Sequence, residues 1–453
     1  AGDTLNFQGG TTFTGRVYIG PTSVGTAASP IQIRSFGTGR AIIKNTSDNA
    51  LFVYNTSGIY VHDINFEGPG SAYNNTIDGL GFYTDKTNTK LPFIKIENVK
   101  ISGWTKHGMY IGSGNISAGF KDVTITSVEA TDNVQSGIYS YGPATKIVHE
   151  NINVNNSTAH DNPGRAGLSN HSGNGIMLSG VKGGTIEYNK AWNNGTLHSY
   201  CGAGPVGIWA FDASDLTFQF NESYGNKTNE CGLYDGADGG GFDIEGGTNV
   251  TFQYNYSHNN DGAGFGLYQY AGAAPWSNNT VRYNISVNDG RKNDWYGGIS
   301  IWAANGETMN GADVYNNTVY MSQAGLYNSG IANLVGPNDS GVANNFRFRN
   351  NNIYVTNGVK LLRFDKDGSG MLFQGNNYHA VGTFNITWKG NTYSSLDAWR
   401  ATGQEKLNGT NVGSQVNPLL VSPGGVGVDS YKLQSSSPLI NTGLNLPSVF
   451  AIN

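Results

Sequence analysis

Short runs of alternating apolar and polar residues, four to six long, recur along the chain between turns rich in Gly and Asn. One series reads Gly175-Ile-Met-Leu-Ser179, Gly207-Ile-Trp-Ala-Phe211, Gly241-Phe-Asp-Ile-Glu245, Gly264-Phe-Gly-Leu-Tyr268 and Gly298-Ile-Ser-Ile-Trp302, with earlier copies at Gly108-Met-Tyr-Ile-Gly112 and Gly137-Ile-Tyr-Ser-Tyr141. A second series runs out of phase with it: Thr185-Ile-Glu-Tyr-Asn189, Thr217-Phe-Gln-Phe-Asn221, Thr251-Phe-Gln-Tyr-Asn255, Thr280-Val-Arg-Tyr-Asn284 and Asp313-Val-Tyr-Asn316. The asparagines of this second series step by 32, 34, 29 and 32 residues. Period-2 alternation bounded by turn residues predicts short strands, and a repeat near this length predicts stacked coils. Two or three strands per coil, each stacking on its equivalent, make a parallel β-helix. A β-propeller fits less well, because its blades need four strands each over a longer repeat.

The recurring asparagine suits that architecture. Turned inward at a corner, its amide can donate to the equivalent amide of the next coil, so Asn189, Asn221, Asn255, Asn284 and Asn316 are expected to form one buried ladder. The many Asn-x-Ser/Thr matches are then by-products of the ladder rather than glycan acceptors.

Composition narrows the class. The chain has 453 residues with 65 Gly, and only 13% are charged, against averages of about 7% Gly and about 25% charged. Pro is scarce and no strict Gly-x-y period exists, which excludes collagen. A net charge of −5 argues against a phosphate-binding face, so no nucleic-acid partner is expected. No apolar run reaches the roughly 18 residues of a membrane helix, so no membrane partner is expected either. The chain opens at Ala1-Gly2-Asp3 without a basic-then-apolar leader, which suits a mature secreted chain. Cys201 and Cys231, the two cysteines, sit in Gly-rich loops about one repeat apart. A disulfide between them is expected, and it favours an oxidising compartment, extracellular or periplasmic.

These repeats resemble the right-handed parallel β-helix superfamily typified by pectate lyases and related polysaccharide-active enzymes. Asp3-Thr-Leu-Asn-Phe7 and Gly15-Arg-Val-Tyr-Ile19 look like its opening strands, and Asp429-Ser-Tyr-Lys-Leu-Gln434 with Ser437-Pro-Leu-Ile-Asn-Thr-Gly443 looks like its closing segment. Ser395-Leu-Asp-Ala-Trp-Arg400 reads as one short helix in a small C-terminal cap. The resemblance implies an all-β, single-domain solenoid with opening coils over 1–70, regular coils over 71–380 and a closing segment over 381–453. It also implies a polysaccharide or oligosaccharide partner, and a monomer is expected.

Strand parity assigns the chemistry to one face. With Ile176, Ile208, Phe242, Phe265 and Ile299 inward, one outward column reads Tyr110, Tyr139, Met177, Trp209, Asp243, Gly266, Ser300. Its neighbour reads Gly112, Tyr141, Ser179, Phe211, Glu245, Tyr268, Trp302. Asp243 and Glu245 are therefore expected to share a groove walled by Trp209, Phe211, Tyr268 and Trp302, with Tyr139, Tyr141 and His171 as further sugar contacts. Aromatic faces suit the C–H faces of sugar rings, and an exposed apolar stripe marks a binding site. Outward carboxylates at i and i+2 stand about 6.5–7 Å apart at Cα, within the range glycosidases use. The leading expectation is a secreted glycoside hydrolase that needs no cofactor, with Asp243 and Glu245 catalytic. A uronate lyase or epimerase is the alternative, with Asp235 and Asp238 in Asp235-Gly-Ala-Asp-Gly-Gly-Gly-Phe-Asp243 holding calcium, as the family resemblance suggests. Such a lyase also needs a Lys or Arg base, and both columns lack one, although Arg165, Arg291 and Lys292 lie in nearby loops. A non-catalytic glycan-binding or adhesive β-helix is the third option.

Overall fold

The computed structural model describes residues 1–231, 236–290, 292, 295–322, 328–336, 338–366 and 368–450. Each regular coil gives one strand to each of three sheets. One coil runs Asn174–Ser179, Val181–Glu187 and Lys190–Trp192. In the next, Val206–Gln219 bends through the first two sheets before Glu222–Tyr224 enters the third. Gly240–Thr248, Thr251–Gln253 and Tyr256–His258 follow. Equivalent strands pair in parallel, the rest of each coil serving as the crossover that parallel pairing requires.

The inward positions form a continuous core. Phe242 and Phe265 stack at 5.1 Å, and Phe218 meets Phe252 edge-on at 5.0 Å. Each such side chain contributes roughly 1.5–3 kcal/mol by leaving water. The C-terminal end is closed by the expected helix, Leu396–Arg400, whose N-cap Ser395 accepts from the Ala398 N–H. Trp399 of this helix is fully buried against Phe373 and Trp388. The closing segment then turns back, and its Leu420 and Tyr431 cover the outer face of the third sheet at Tyr256, Tyr320 and Tyr354. No helix among the described residues is long and apolar enough to cross a membrane.

The asparagine ladder runs Asn189, Asn221, Asn255, Asn284, Asn317, Asn351 and Asn376, each side-chain amide donating to the next at 2.9–3.0 Å. It ends on Glu405, which accepts from Asn376 at 2.7 Å. The rung expected at Asn316 belongs to Asn317. Asn316 instead occupies the left-handed corner position just before the rung, at φ 55°, where the preceding coils carry Tyr188, Phe220, Tyr254 and Tyr283. Bulky residues are rare in that conformation, and here their rings stack at 5.1, 5.2 and 5.1 Å, which offsets part of the strain. Where the ring stack stops, an asparagine takes the corner, so counting from the aromatic residue shifts the register by one. A second ladder, Asn133, Asn162, Asn194, Asn226 and Asn260, ends on Asp289.

Candidate active site

Both outward columns expected on the first sheet are present in register. Trp209 pairs with Asp243, Asp243 with Gly266, and Gly266 with Ser300. Phe211 pairs with Glu245, Glu245 with Tyr268, and Tyr268 with Trp302. Loops that precede the first-sheet strands rise beside this face and enclose a cleft of about 500 Å³. Cys201 and Cys231 form a disulfide that ties two of these loops together at the cleft wall.

His171, Trp209, Asp238, Asp243, Glu245, Tyr268 and Trp302 all line the cleft. Tyr139, Tyr141 and Phe211 do not. They pack sideways, Tyr139 against His107 at 4.5 Å and Tyr141 at 5.4 Å, and Phe211 against Trp209 at 5.0 Å. The stripe is thus an open platform nowhere on this side of the acids. Trp209 is 2% exposed and packs with Met177 and Val206 as a small secondary core. Its indole N–H donates to Asn174 Oδ1 at 3.1 Å, which fixes the ring. The covering loops convert a surface stripe into a wall.

Three carboxylates converge in the cleft. Asp238 accepts from the Gly204 N–H at 2.8 Å and from the Tyr296 hydroxyl at 3.0 Å. Asp243 is 3% exposed, and its Oδ1 has no hydrogen-bond partner. Burial, then the charges of Asp238 and Glu245, push its carboxyl well above the ordinary range. Burial, helped by Asp238 and Asp212, pushes half-buried Glu245 up to about 8. Asp212 stands behind this group, accepting from Ala274 N–H at 2.7 Å and from the Tyr270 hydroxyl. His171 is held neutral, its imidazole pulled down to about 4 by burial.

Asp235 and Asp238 are the residues expected to hold calcium if the cleft takes it. Asp235 lies outside the described residues, and both oxygens of Asp238 are engaged by protein donors. Among the described residues no three His, Cys, Asp or Glu side chains converge to hold a metal ion. The basic loop residues are also committed elsewhere. Arg165 donates to the Ser71 and Tyr73 carbonyls at 2.7 Å, and Lys292 donates to the Thr228 carbonyl. Arg291 lies outside the described residues, and no Lys or Arg among those described lines the cleft.

Strand parity does not reveal Tyr270, Trp295 or Tyr296, which come from turns and loops, or Asp212, which sits at the left-handed bend inside Val206–Gln219. One signal was available: Trp295-Tyr296 stands one residue before the recurring strand start at Gly298-Ile299, the same part of its coil that the Asp238 loop holds before Gly241-Phe242.

Residues 78–284 match the family model described as "Right handed beta helix region". The lacto-N-biosidase of Eubacterium ramulus superposes with a TM-score of 0.51 at 16% identity, covering 82% of this chain and 62% of that one. Its selenomethionine form gives 0.51 at 17% identity, over 77% of this chain and 62% of that one. A mannuronan C-5 epimerase A-module of Azotobacter vinelandii gives 0.48 at 15% identity, over 82% of this chain and 90% of that one. This chain therefore spans 62% of the length of the biosidase chain, and the likeness is one of fold. No curated protein matches the chain by sequence. Pairing pattern, ladders and family model together identify the chain as a right-handed parallel β-helix protein.

Proposed function

We propose that the cleft hydrolyses glycosidic bonds of a polysaccharide or oligosaccharide outside the cytoplasm, with Asp243 as proton donor and Glu245 as its partner carboxylate. The observation that carries this reading is the pair itself. Asp243 and Glu245 lie two residues apart on one strand face, both withdrawn from water, between Trp209 and Trp302. Their environments separate their roles. Asp243 is the more deeply buried, 3% exposed with an unsatisfied Oδ1, which favours its protonated form, whereas Glu245 is half-buried.

In the step that follows, the electron pair of the broken C–O bond goes to the leaving oxygen, which takes the Asp243 proton. The anomeric carbon is captured by the Glu245 carboxylate, or by a water whose proton Glu245 removes. Neighbouring aromatic rings hold the sugar and exclude water from the reacting bond. That one β-helix of similar fold is named a lacto-N-biosidase shows the fold accommodates such a protein; the residue chemistry supports the assignment here. The disulfide accords with an oxidising compartment.

The test is a panel of neutral and uronate polysaccharides and oligosaccharides. New reducing ends without ultraviolet absorbance are expected, and a chelator should leave the rate unchanged. An unsaturated, absorbing product would reassign the cleft to a lyase. Glycan retained without any change would make it a binding site.

A further inference from the structure

The cleft reaches unequally far on the two sides of the acids. On the N-terminal side Trp209 stands in the coil next to Asp243 and is 2% exposed, so its ring offers a sugar little surface. On the C-terminal side the column of Glu245 continues through Tyr268 to Trp302, with Leu334 in the coil beyond. Trp302 and Leu334 are half-buried and line the cleft, and Trp295 lines it with them. At 46% exposed, Trp295 is the most open of the chain's eight tryptophans.

A single exposed aromatic carries no message by itself. What sets Trp295 apart is its support. The Arg363 guanidinium lies over its ring, 4.4 Å from the centroid. Arg363 is 4% exposed, and its Nε and Nη2 both donate to Asp365 Oδ2, at 3.0 and 2.8 Å. A planar guanidinium stacks on an aromatic face, and the attraction is stronger out of water than at an exposed site. Asp365 thus orients Arg363, and Arg363 holds the tryptophan, while nearly half of the indole surface stays in water.

Arg363 also gives the ring its place along the solenoid. It stands in the same outward column as Asp243, four coils on, after Gly266, Ser300 and Ala332. At about 4.8 Å per coil, that column carries it about 19 Å from Asp243. The distance exceeds the reach of one sugar ring, so a saccharide cut at the acids meets Trp295 only by continuing along this arm. Resting on the hydrolase reading above, we propose that Trp295 is the platform of a distal subsite, stacking on the C–H face of a sugar beyond the two that flank the broken bond. The occupant is part of the substrate chain itself, because Trp295 and the acids line one continuous cleft. Contact so far from the reacting bond is the same before and during bond breaking. Its effect therefore falls on KM rather than kcat, and only for chains long enough to reach it.

The probes are oligosaccharides, from the disaccharide to the hexasaccharide, of the glycan cleaved in the panel. In the parent, kcat/KM should climb with length and level off once the chain covers Trp295. Trp295→Ala should raise KM for the longer members by about 3–10-fold, the scale of one aromatic contact. Its kcat, and its KM for the shortest member cleaved, should match the parent. Trp295→Phe keeps a ring and should recover part of the loss. Equal losses at every length, or none at any, would overturn the subsite and leave the hydrolase reading standing. If the panel shows glycan bound and never cut, the hydrolase reading falls, and the same series read as Kd by calorimetry decides Trp295 alone. Weakening by Trp295→Ala that grows with chain length would then support the platform, and unchanged affinity would overturn it. A panel in which no glycan is bound or cut removes both.

Discussion

The Tyr296 hydroxyl donates to Asp238 Oδ1 at 3.0 Å and accepts the Asp238 backbone N–H at 3.1 Å, a two-way clasp between loops 58 residues apart. The clasp holds the Asp238 carboxyl near Asp243 and Glu245 and offsets part of the burial that raises its own proton affinity. The Asp238 charge raises the proton affinity of both partners. Asp238→Asn removes the charge and Tyr296→Phe loosens it. In both variants the group that titrates near 8 should titrate at lower pH. The measurement is kcat/KM against pH; an unmoved limb would show that Asp238 does not set the proton affinity of the pair.

The parent profile has a direction of its own. Turnover requires Glu245 ionised and Asp243 protonated, so activity should rise with pH through about 8, the value to which burial pushes Glu245. It should fall again where Asp243, which burial and the neighbouring acids hold well above the ordinary carboxylate range, loses its proton. A rate maximum at pH 5 would exclude this division of roles.

Asp243→Asn and Glu245→Gln should each remove about 10²–10⁴-fold of the rate, the usual value of a general acid or base. Far-ultraviolet circular dichroism should be unchanged, because both side chains point away from the core. Added azide or formate should rescue Glu245→Gln more than Asp243→Asn if Glu245 delivers the nucleophile.

Stability should move the other way. Glu245 ionises near 8 in the folded chain, against an ordinary 4.5. Between those values the folded chain holds a proton that the unfolded chain has released, so stability falls as pH rises through the window. Glu245→Gln lacks that proton equilibrium. Urea unfolding should show the variant gaining on the parent from pH 5 to pH 8, and an equal slope in both would contradict the burial of the carboxyl.

Two structural staples can be tested separately. Asn255→Ala orphans the Asn221 backbone N–H and side-chain amide, which both donate to Asn255 Oδ1. At about 1–3 kcal/mol per buried donor, the loss should be about 2–6 kcal/mol in urea unfolding. Thiol titration of the unreduced, denatured chain should find no free cysteine. Cys201 and Cys231 are 30 residues apart, so replacing both by Ser should cost about 3–4 kcal/mol by chain entropy.

The parts of the molecule that repeat were legible in the amino-acid order. Ile208, Phe242 and Phe265 share an inward column because alternation permits only two faces, and that parity also placed Asp243 beside Trp209 and Glu245 beside Phe211. A second repeat was present and not read. Asn194, Asn226, Asn260 and Asp289 each follow the first ladder's residue by five positions, so the same subtraction exposes both. The covering of the stripe was not legible. Trp209 is buried by loops whose paths depend on contacts such as the Cys201–Cys231 bridge, not on strand parity. Tyr296 and Tyr270 reach the acids from segments with no repeated pattern, so nothing in the local sequence announces their direction.

The ladders have a head and a tail. In the first, every amide from Asn189 onward points toward the C-terminal end, so each asparagine oxygen from Asn221 onward receives two protons and each nitrogen places its second proton on a carbonyl of an earlier coil. Any asparagine in the row is interchangeable with any other in this respect, and rungs separated by as few as 25 or as many as 34 residues keep the same spacing. The last position is different in kind. It must receive without passing anything on, which a carboxylate does and an amide does not. Glu405 and Asp289 fill it in their respective rows. The solenoid can therefore grow or shrink by whole turns without disturbing its neighbours, provided that an acid still closes the row.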